Sequence, residues 1–251
     1  MEMEVNKERL LEFSKRLEVA LENGDFEEVG EAFAELLFTY DERDFEDKEI
    51  HVSSLDYCEL KTALQIAYRI KTEQNTKMIK GKLLHFALES ILEKGRELGI
   101  FKNDVSFEDE SAVSYDLGNG WKIVGRPDFV IGDVVVDFKF SRLWDGATYD
   151  HYAMQVNTYA YLLGKKMAML VVIDERDFQR VKVFPFVVSE EKFRETVEKA
   201  KRIAKAVEDL RAGKTPTGLK TENMPVFDWE CRYCPVKAIC DSMRDKIAEK
   251  G

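Results

Sequence analysis

Apolar positions recur at helical spacing from residue 6 to residue 22, where Leu10, Phe13, Leu17 and Leu21 share one face and Gly24 ends the run. Asp25 is placed to cap a second helix, with Glu28 three residues on to complete a capping box. Phe26, Val29, Phe33 and Leu36 form the stripe of that helix, so an acidic helical hairpin is predicted to lead into the charged run Asp41–Glu49. Ser53 or Ser54 opens a helix to about Lys71, and another is predicted from about Lys77 to Leu98. The period then shortens to two. Strands are predicted at Ala112–Leu117 and Trp121–Val124 around the turn Gly118-Asn119-Gly120, and at Asp128–Ile131 and Val134–Phe140 around Gly132-Asp133. Residues 150–163 read as a helix, 167–174 and 180–188 as strands, and Ser189 caps a long amphipathic helix to Ala212. Gly213, Pro216, Gly218 and Pro225 mark a loop before a cysteine cluster. The sum is an α/β (α+β) chain with a central mixed sheet flanked by helices.

The strand Val134–Phe140 carries two residues that a buried strand normally excludes, Asp137 and Lys139. Side chains alternate along a strand, so these two share a face and Phe138 takes the other. Asp128, on the preceding strand, can reach the same face. Two carboxylates and an ammonium on an otherwise apolar sheet suit a divalent cation with a lysine poised over it. An isolated Asp-x-Lys is most often a salt bridge on a solvated face, so the weight rests on the other motifs. His85 lies on a predicted helix, where a lone histidine is usually a packing residue; its imidazole is also a candidate metal ligand. Gln155 and Tyr159 are four residues apart on the helix after the Asp-x-Lys strand, with His151 one turn earlier on the same side.

Composition modifies this picture at three points. The 251 residues are 45% hydrophobic and 34% charged, enough for one large domain or a domain with an appendage. No apolar run reaches membrane-spanning length and the N-terminus lacks a signal-peptide pattern, so a cytoplasmic protein with no membrane partner is expected. The net charge of −10 is uneven: residues 1–50 hold 17 acidic and 6 basic groups, and the remainder 31 and 32. The acidity belongs to the N-terminal segment and leaves room for a basic groove elsewhere. Lys80, Lys82 and Arg142, close to the motifs, are candidate phosphate contacts, and Trp144 and Tyr152 are candidate stacking platforms for bases.

Four cysteines remain: Cys58 alone, then Cys231, Cys234 and Cys240 as Cys-x2-Cys-x5-Cys. In a reducing compartment this suggests a metal before a disulfide, and the spacing alone leaves zinc and iron–sulfur open. Gly213-Lys214-Thr215 imitates the end of a phosphate loop, but Glu208 stands where that motif needs glycine and the segment follows a helix. No nucleotide cofactor is expected.

Laid out in order, these motifs resemble the RecB-type branch of the PD-(D/E)XK nucleases, and within it the CRISPR-associated exonuclease family that binds a four-iron cluster. The resemblance runs from about Ser53 to Met243. It rests on Ser54-Leu55-Asp56-Tyr57-Cys58, Gly81 to His85, Gly125 to Asp128, Asp137-Phe138-Lys139, Gln155 to Tyr159 and the closing cysteines. Two departures stand out: Asp137 replaces the more usual glutamate, and residues 1–50 match nothing in the family pattern.

The resemblance implies a restriction-endonuclease-like core over residues 51–251, stapled by a 4Fe-4S cluster on Cys58, Cys231, Cys234 and Cys240, with residues 1–50 as an acidic appendage. It implies that Asp128, Asp137, the Phe138 carbonyl and His85 bind one or two Mn²⁺ or Mg²⁺ ions. Lys139 then orients or deprotonates the attacking water, helped by a depressed pKa, while Gln155 and Tyr159 position it. The implied activity is a metal-dependent DNA exonuclease acting on single strands or ends with overhangs, 5′ to 3′, in CRISPR spacer acquisition beside the integrase complex. A repair or replication nuclease outside CRISPR, and a non-catalytic DNA-binding scaffold, are the alternatives.

Overall fold

The computed structural model describes residues 7–38, 46–72, 74–107, 110–143, 150–220 and 230–248. The chain falls into two compact units: Met1–Asp44 with Glu73–Ala87, and Phe45–Thr72 with Leu88–Gly251.

In the first unit, α1 (Lys7–Asn23) and α2 (Phe26–Phe38) form the expected hairpin. Gly24 turns the chain at φ +67°, and the Asp25 carboxylate accepts the Glu28 N–H at 3.0 Å, the cap read from the sequence. Phe13 and Phe33 meet edge to face at 5.1 Å, and Arg16 binds both Glu28 and Glu35. Phe26 departs from the predicted stripe: at 77% exposed, it stands outside the helix contact. The side chains of Leu10 and Leu36 lie outside the described residues.

The second unit opens with β1 (Glu49–His51) and a 3-10 segment, Val52–Asp56, followed by α3 (Glu59–Tyr68). The sequence predicts one helix here; the structure breaks it at Tyr57, which is extended, and Cys58, at φ −58° and ψ 123°. Side chains from distant segments satisfy the backbone at the break. Glu230 accepts the Cys58 N–H at 3.0 Å, and Lys199 donates to the Tyr57 carbonyl at 2.9 Å. Helix α4 (Thr76–Glu97) begins in the first unit, capped by Asn75, which accepts the Met78 N–H at 3.1 Å.

The strands are β2 (Val105–Phe107), β3 (Val113–Gly118), β4 (Trp121–Gly125), β5 (Phe129–Ile131), β6 (Val134–Ser141), β7 (Met167–Asp174) and β8 (Val181–Val187). Helix α5 (Asp150–Leu162) joins β6 to β7, and α6 (Glu190–Arg211) and α7 (Lys237–Ala248) follow. Beside the expected central mixed sheet, β2-β5-β6-β7-β8, in which β6 and β7 run parallel, the described residues form a second, three-stranded sheet, β1-β4-β3. The break falls at Arg126-Pro127-Asp128, between β4 and β5, where Pro127 has no N–H to give a ladder. β1 and β2, three residues each, are too short to leave a periodic signal.

The alternation of β6 divides the apolar residues between two faces. Val135 joins the main core with Leu170, Val172, Val156 and Tyr159, under α5 and α6. Val136 and Phe138 face the other way, into a smaller cluster around Phe107 and Phe129. Ser189 caps α6 by accepting the Lys192 N–H at 3.3 Å. Asn157 on α5, fully buried, grips the backbone of Ser189 twice, accepting its N–H at 2.7 Å and donating to its carbonyl at 3.0 Å. Asn157→Ala would leave both groups of Ser189 without their partner. A loss of roughly 2–4 kcal/mol in urea unfolding is expected; an unchanged midpoint would show that water replaces the amide without cost.

Candidate active site

The pairing Phe129↔Val136 between β5 and β6 places Asp128, one step beyond β5, opposite Asp137. The Asp128 carboxylate accepts the Phe138 N–H at 2.6 Å, which ties it to the strand that carries the other two groups. Asp137 is 1% exposed, and its Oδ2 lies 2.6 Å from the Lys139 ammonium. The structure therefore brings Asp128, Asp137 and Lys139 together on the inner face of the mixed sheet. A carboxylate this deep is tolerated because a cation faces it.

Lys139 is itself largely covered, with 19% of its side chain exposed. Burial alone would lower its pKa, but Asp137 and Asp128 outweigh burial, and the ammonium is held above its ordinary value. This direction belongs to the protein groups alone: the charges around this lysine are carboxylates, whereas the depressed pKa expected from the sequence is that of a lysine beside bound cations. The Tyr152 ring stands 5.1 Å from Nζ, within cation–π range. Tyr152, read from the sequence as a platform for bases, instead faces the lysine. Trp144, the other aromatic candidate, lies outside the described residues, as does the side chain of His151.

Gln155 and Tyr159 are both buried on the inner face of α5, and the Gln155 amide donates to the Tyr159 hydroxyl at 3.2 Å. Burial first, and then the field of Asp137, raise the pKa of the phenol, so it stays protonated. The Tyr159 ring seats against the backbone of β4. A Cβ added to Gly125 would lie 2.5 Å from Cε1 of Tyr159 and 3.0 Å from Val52. Gly125 is thus required by close approach, which its place in the Gly-Arg-Pro-Asp stretch does not reveal.

Asp56 was passed over in the sequence as part of a segment leading to a cysteine. It ends the 3-10 segment Val52–Asp56, which packs on β4 and α5, and it is buried. Burial pushes its carboxyl up to about 8, opposed chiefly by Lys139.

His85, Lys80 and Lys82 lie on the part of α4 that belongs to the first unit. Arg142 is exposed just beyond β6.

The cysteines approach one another from both ends of the second unit. Cys58 precedes α3, Cys231 lies in the short 3-10 segment Glu230–Tyr233, Cys234 comes just before α7 and Cys240 is on α7. None of the four is in a disulfide, and α3 packs on α7. Cys58 and Cys240 both pack on the main core and feel each other's charge. Burial pushes the Cys58 thiol up to about 11, against the N–H groups of Lys61 and Leu60 at the start of α3. Four soft donors in one region, one of them at a helix N-terminus that favours a thiolate, suit a thiophilic metal or cluster in chemistry. Among the described residues, no three His, Cys, Asp or Glu side chains are disposed as a ligand set.

The seating of Tyr159 gives a direct test. Gly125→Ala must push the Tyr159 ring off β4 and loosen Gln155 with it. The activity of the site should fall on the order of tenfold or more in kcat, given how steeply catalysis depends on placement within an ångström. Wild-type kcat would mean that the ring has room to move without disturbing Lys139.

Known proteins resemble this chain in sequence and in fold. The chain is 27% identical over 203 residues to the CRISPR-associated exonuclease Cas4 of Saccharolobus solfataricus, an alignment covering 78% of this chain and 88% of that protein. The crystal structure of SSO0001 superposes with a TM-score of 0.61 at 24% identity, covering 84% of this chain and 97% of the other, which supports the fold. No helix among the described residues is long and apolar enough to cross a membrane. The model of the PD-(D/E)XK nuclease superfamily matches residues 16–241, taking in most of the hairpin that the sequence reading sets apart, and this chain belongs to that superfamily.

Proposed function

We propose that this protein is a divalent-metal-dependent DNA exonuclease that degrades single strands or overhanging ends, 5′ to 3′, and trims DNA for spacer acquisition together with a CRISPR integrase complex. The observation that carries the reading is the meeting of Asp128, Asp137 and Lys139 on one buried face of paired strands. Asp128, Asp137, the Phe138 carbonyl and His85 form the proposed ligand set for one or two Mn²⁺ or Mg²⁺ ions; hard carboxylate oxygens suit both and an imidazole suits Mn²⁺. Bound there, a divalent ion supplies Lewis-acid stabilisation of the phosphoryl oxygens and a more acidic water.

The roles of the protein groups follow from their charge. In hydrolysis, water adds to phosphorus, the P–O ester bond breaks, and negative charge grows on the non-bridging oxygens. Lys139, held as an ammonium, is suited to donate hydrogen bonds to one of those oxygens and to orient the water. This electrostatic role stands beside the base role, which a pKa depressed by bound cations would favour. Tyr152 limits the directions in which the ammonium can turn, and Gln155 and Tyr159 hold the inner wall behind it. Lys80, Lys82 and Arg142 are proposed to grip phosphates along the strand, a contact that weakens with salt.

In the same reading Cys58, Cys231, Cys234 and Cys240 hold a 4Fe-4S cluster that clasps the two ends of the unit; its role is structural. Closing a loop of about 170 residues costs roughly 4–5 kcal/mol, which metal–thiolate bonds exceed.

Labelled single-stranded DNA incubated with Mn²⁺ should be shortened progressively, and Lys139→Ala or Asp137→Asn should reduce the rate by at least about a thousandfold while DNA still binds. No cleavage by the wild-type protein, with intact DNA binding, would favour a scaffold. Protein purified without air should be brown, with iron and sulfide at roughly four each per chain. A colourless, active protein with one zinc would reassign the cysteine site and leave the nuclease reading intact.

A further inference from the structure

Asp56 has no part in the roles above, yet its position in the fold is costly. It is 6% exposed, and its Oδ1 has no hydrogen-bond partner. A carboxylate oxygen buried in this way is destabilising unless some state of the protein gives it a donor. The 3-10 segment that ends at Asp56 belongs to the wall of the site: Val52 meets the backbone of Gly125 where the Tyr159 ring also lands. Among the charges that act on Asp56, Lys139 is foremost, followed by Asp137 and Lys199.

Lys139 has the complementary difficulty. Its Nζ rests on Oδ2 of Asp137 at 2.6 Å, on a carboxylate that the proposed function assigns to a divalent cation. One carboxylate cannot serve a doubly charged ion and a close ammonium equally, because the two cations repel at short range. Once the ion is on Asp137, Lys139 needs another acceptor, and the lysine is too enclosed for water alone to supply it. Lys199 does not compete strongly for Asp56, since its ammonium already donates to the Tyr57 carbonyl at 2.9 Å.

We propose that Asp56 is a positioning residue for Lys139: its free oxygen receives the ammonium when a divalent cation engages Asp137, and so holds Nζ beside the reacting phosphate. The inference rests on the metal-dependent reading of the site. It assigns Asp56 no contact with the substrate or the ion. It also explains why an acidic residue is buried beside Val52 and Leu55, two positions before a cysteine.

The test is a double-mutant cycle read by Mn²⁺ affinity, measured from the free-ion EPR signal, with kcat and KM on single-stranded DNA alongside. In Asp56→Ala the ammonium has nowhere else to go and competes with the ion for Asp137. Mn²⁺ affinity should fall about tenfold and kcat by more than that, with KM for DNA little changed. Removing the ammonium as well should abolish the effect: Lys139→Met and the Asp56→Ala/Lys139→Met pair should bind Mn²⁺ equally. Asp56→Asn, which keeps the shape and a weaker acceptor, should fall between wild type and alanine, and it serves as the probe if alanine does not fold. Equal loss of Mn²⁺ affinity with and without Lys139 would overturn the proposal and make Asp56 a ligand or a packing residue. So would wild-type affinity and kcat in both Asp56 variants. A wild-type protein that binds no Mn²⁺ would instead remove the metal reading itself, and this inference with it.

Discussion

The buried pair of Asp137 and Lys139 is the constraint on which the rest of the second unit depends. An ion pair inside a sheet gains little stability on balance, and breaking one side of it costs roughly 3–5 kcal/mol because the other charge is stranded. A fold that keeps such a pair must hold it from several sides. Here β6 is paired along its length with β7, α5 covers the inner face, and Asp128 is bound to the backbone of Phe138. The Tyr152 ring then limits where the lysine can turn. Every one of these contacts opposes collapse of the site into an ordinary salt bridge open to water.

The division of β6 into two faces makes this possible. Charged residues occur on the inner face only at Asp137 and Lys139, near the C-terminal end of the strand, while Val135 behind them anchors the main core. Val134, Val136 and Phe138 give the other face an apolar seam with Phe129, Ile131 and Phe107. The strand is fixed by hydrophobic burial on the face that carries no chemistry. The polar groups on the opposite face can then be placed by register, with no need for mutual attraction to hold the strand in position.

Much of this was legible in the chain. Period-two alternation located β6 to within a residue, and Asp25 and Ser189 announced the starts of α2 and α6 through caps that the structure forms. The cluster of Asp128, Asp137 and Lys139 followed from alternation and one tight turn. Other features had no local signature. The helix expected from Ser53 breaks at Tyr57 and Cys58 because Lys199 and Glu230, more than 140 residues away, satisfy the backbone there. The division into two sheets turns on Pro127, and the need for glycine at 125 on a tyrosine 34 positions later. The raised pKa of Lys139 among the protein groups has no local signature, because the sequence does not show how closely the two carboxylates approach it.

Tyr57 to Glu59 lies between Asp56 and the cysteine region, and side chains from distant segments hold it. Arg202 grips Glu59 through two nitrogens, at 2.7 and 3.1 Å, with Lys199 on the carbonyl of Tyr57 and Glu230 on the amide of Cys58. Helix α6 supplies both cations, and its inner stripe from Phe193 to Leu210 is anchored in the main core. The segment therefore inherits its position from a long helix with a deep apolar face. Asp56 on one side and Cys58 on the other are fixed by the same contacts. Any force on Cys58, from a bound cluster or from its loss, must work against this network before it reaches Asp56 and the lysine beyond it. Under the proposed function, the cysteine region and Asp137 would be linked through Asp56, Tyr57 and Cys58, with α6 as the brace that limits how far a disturbance travels.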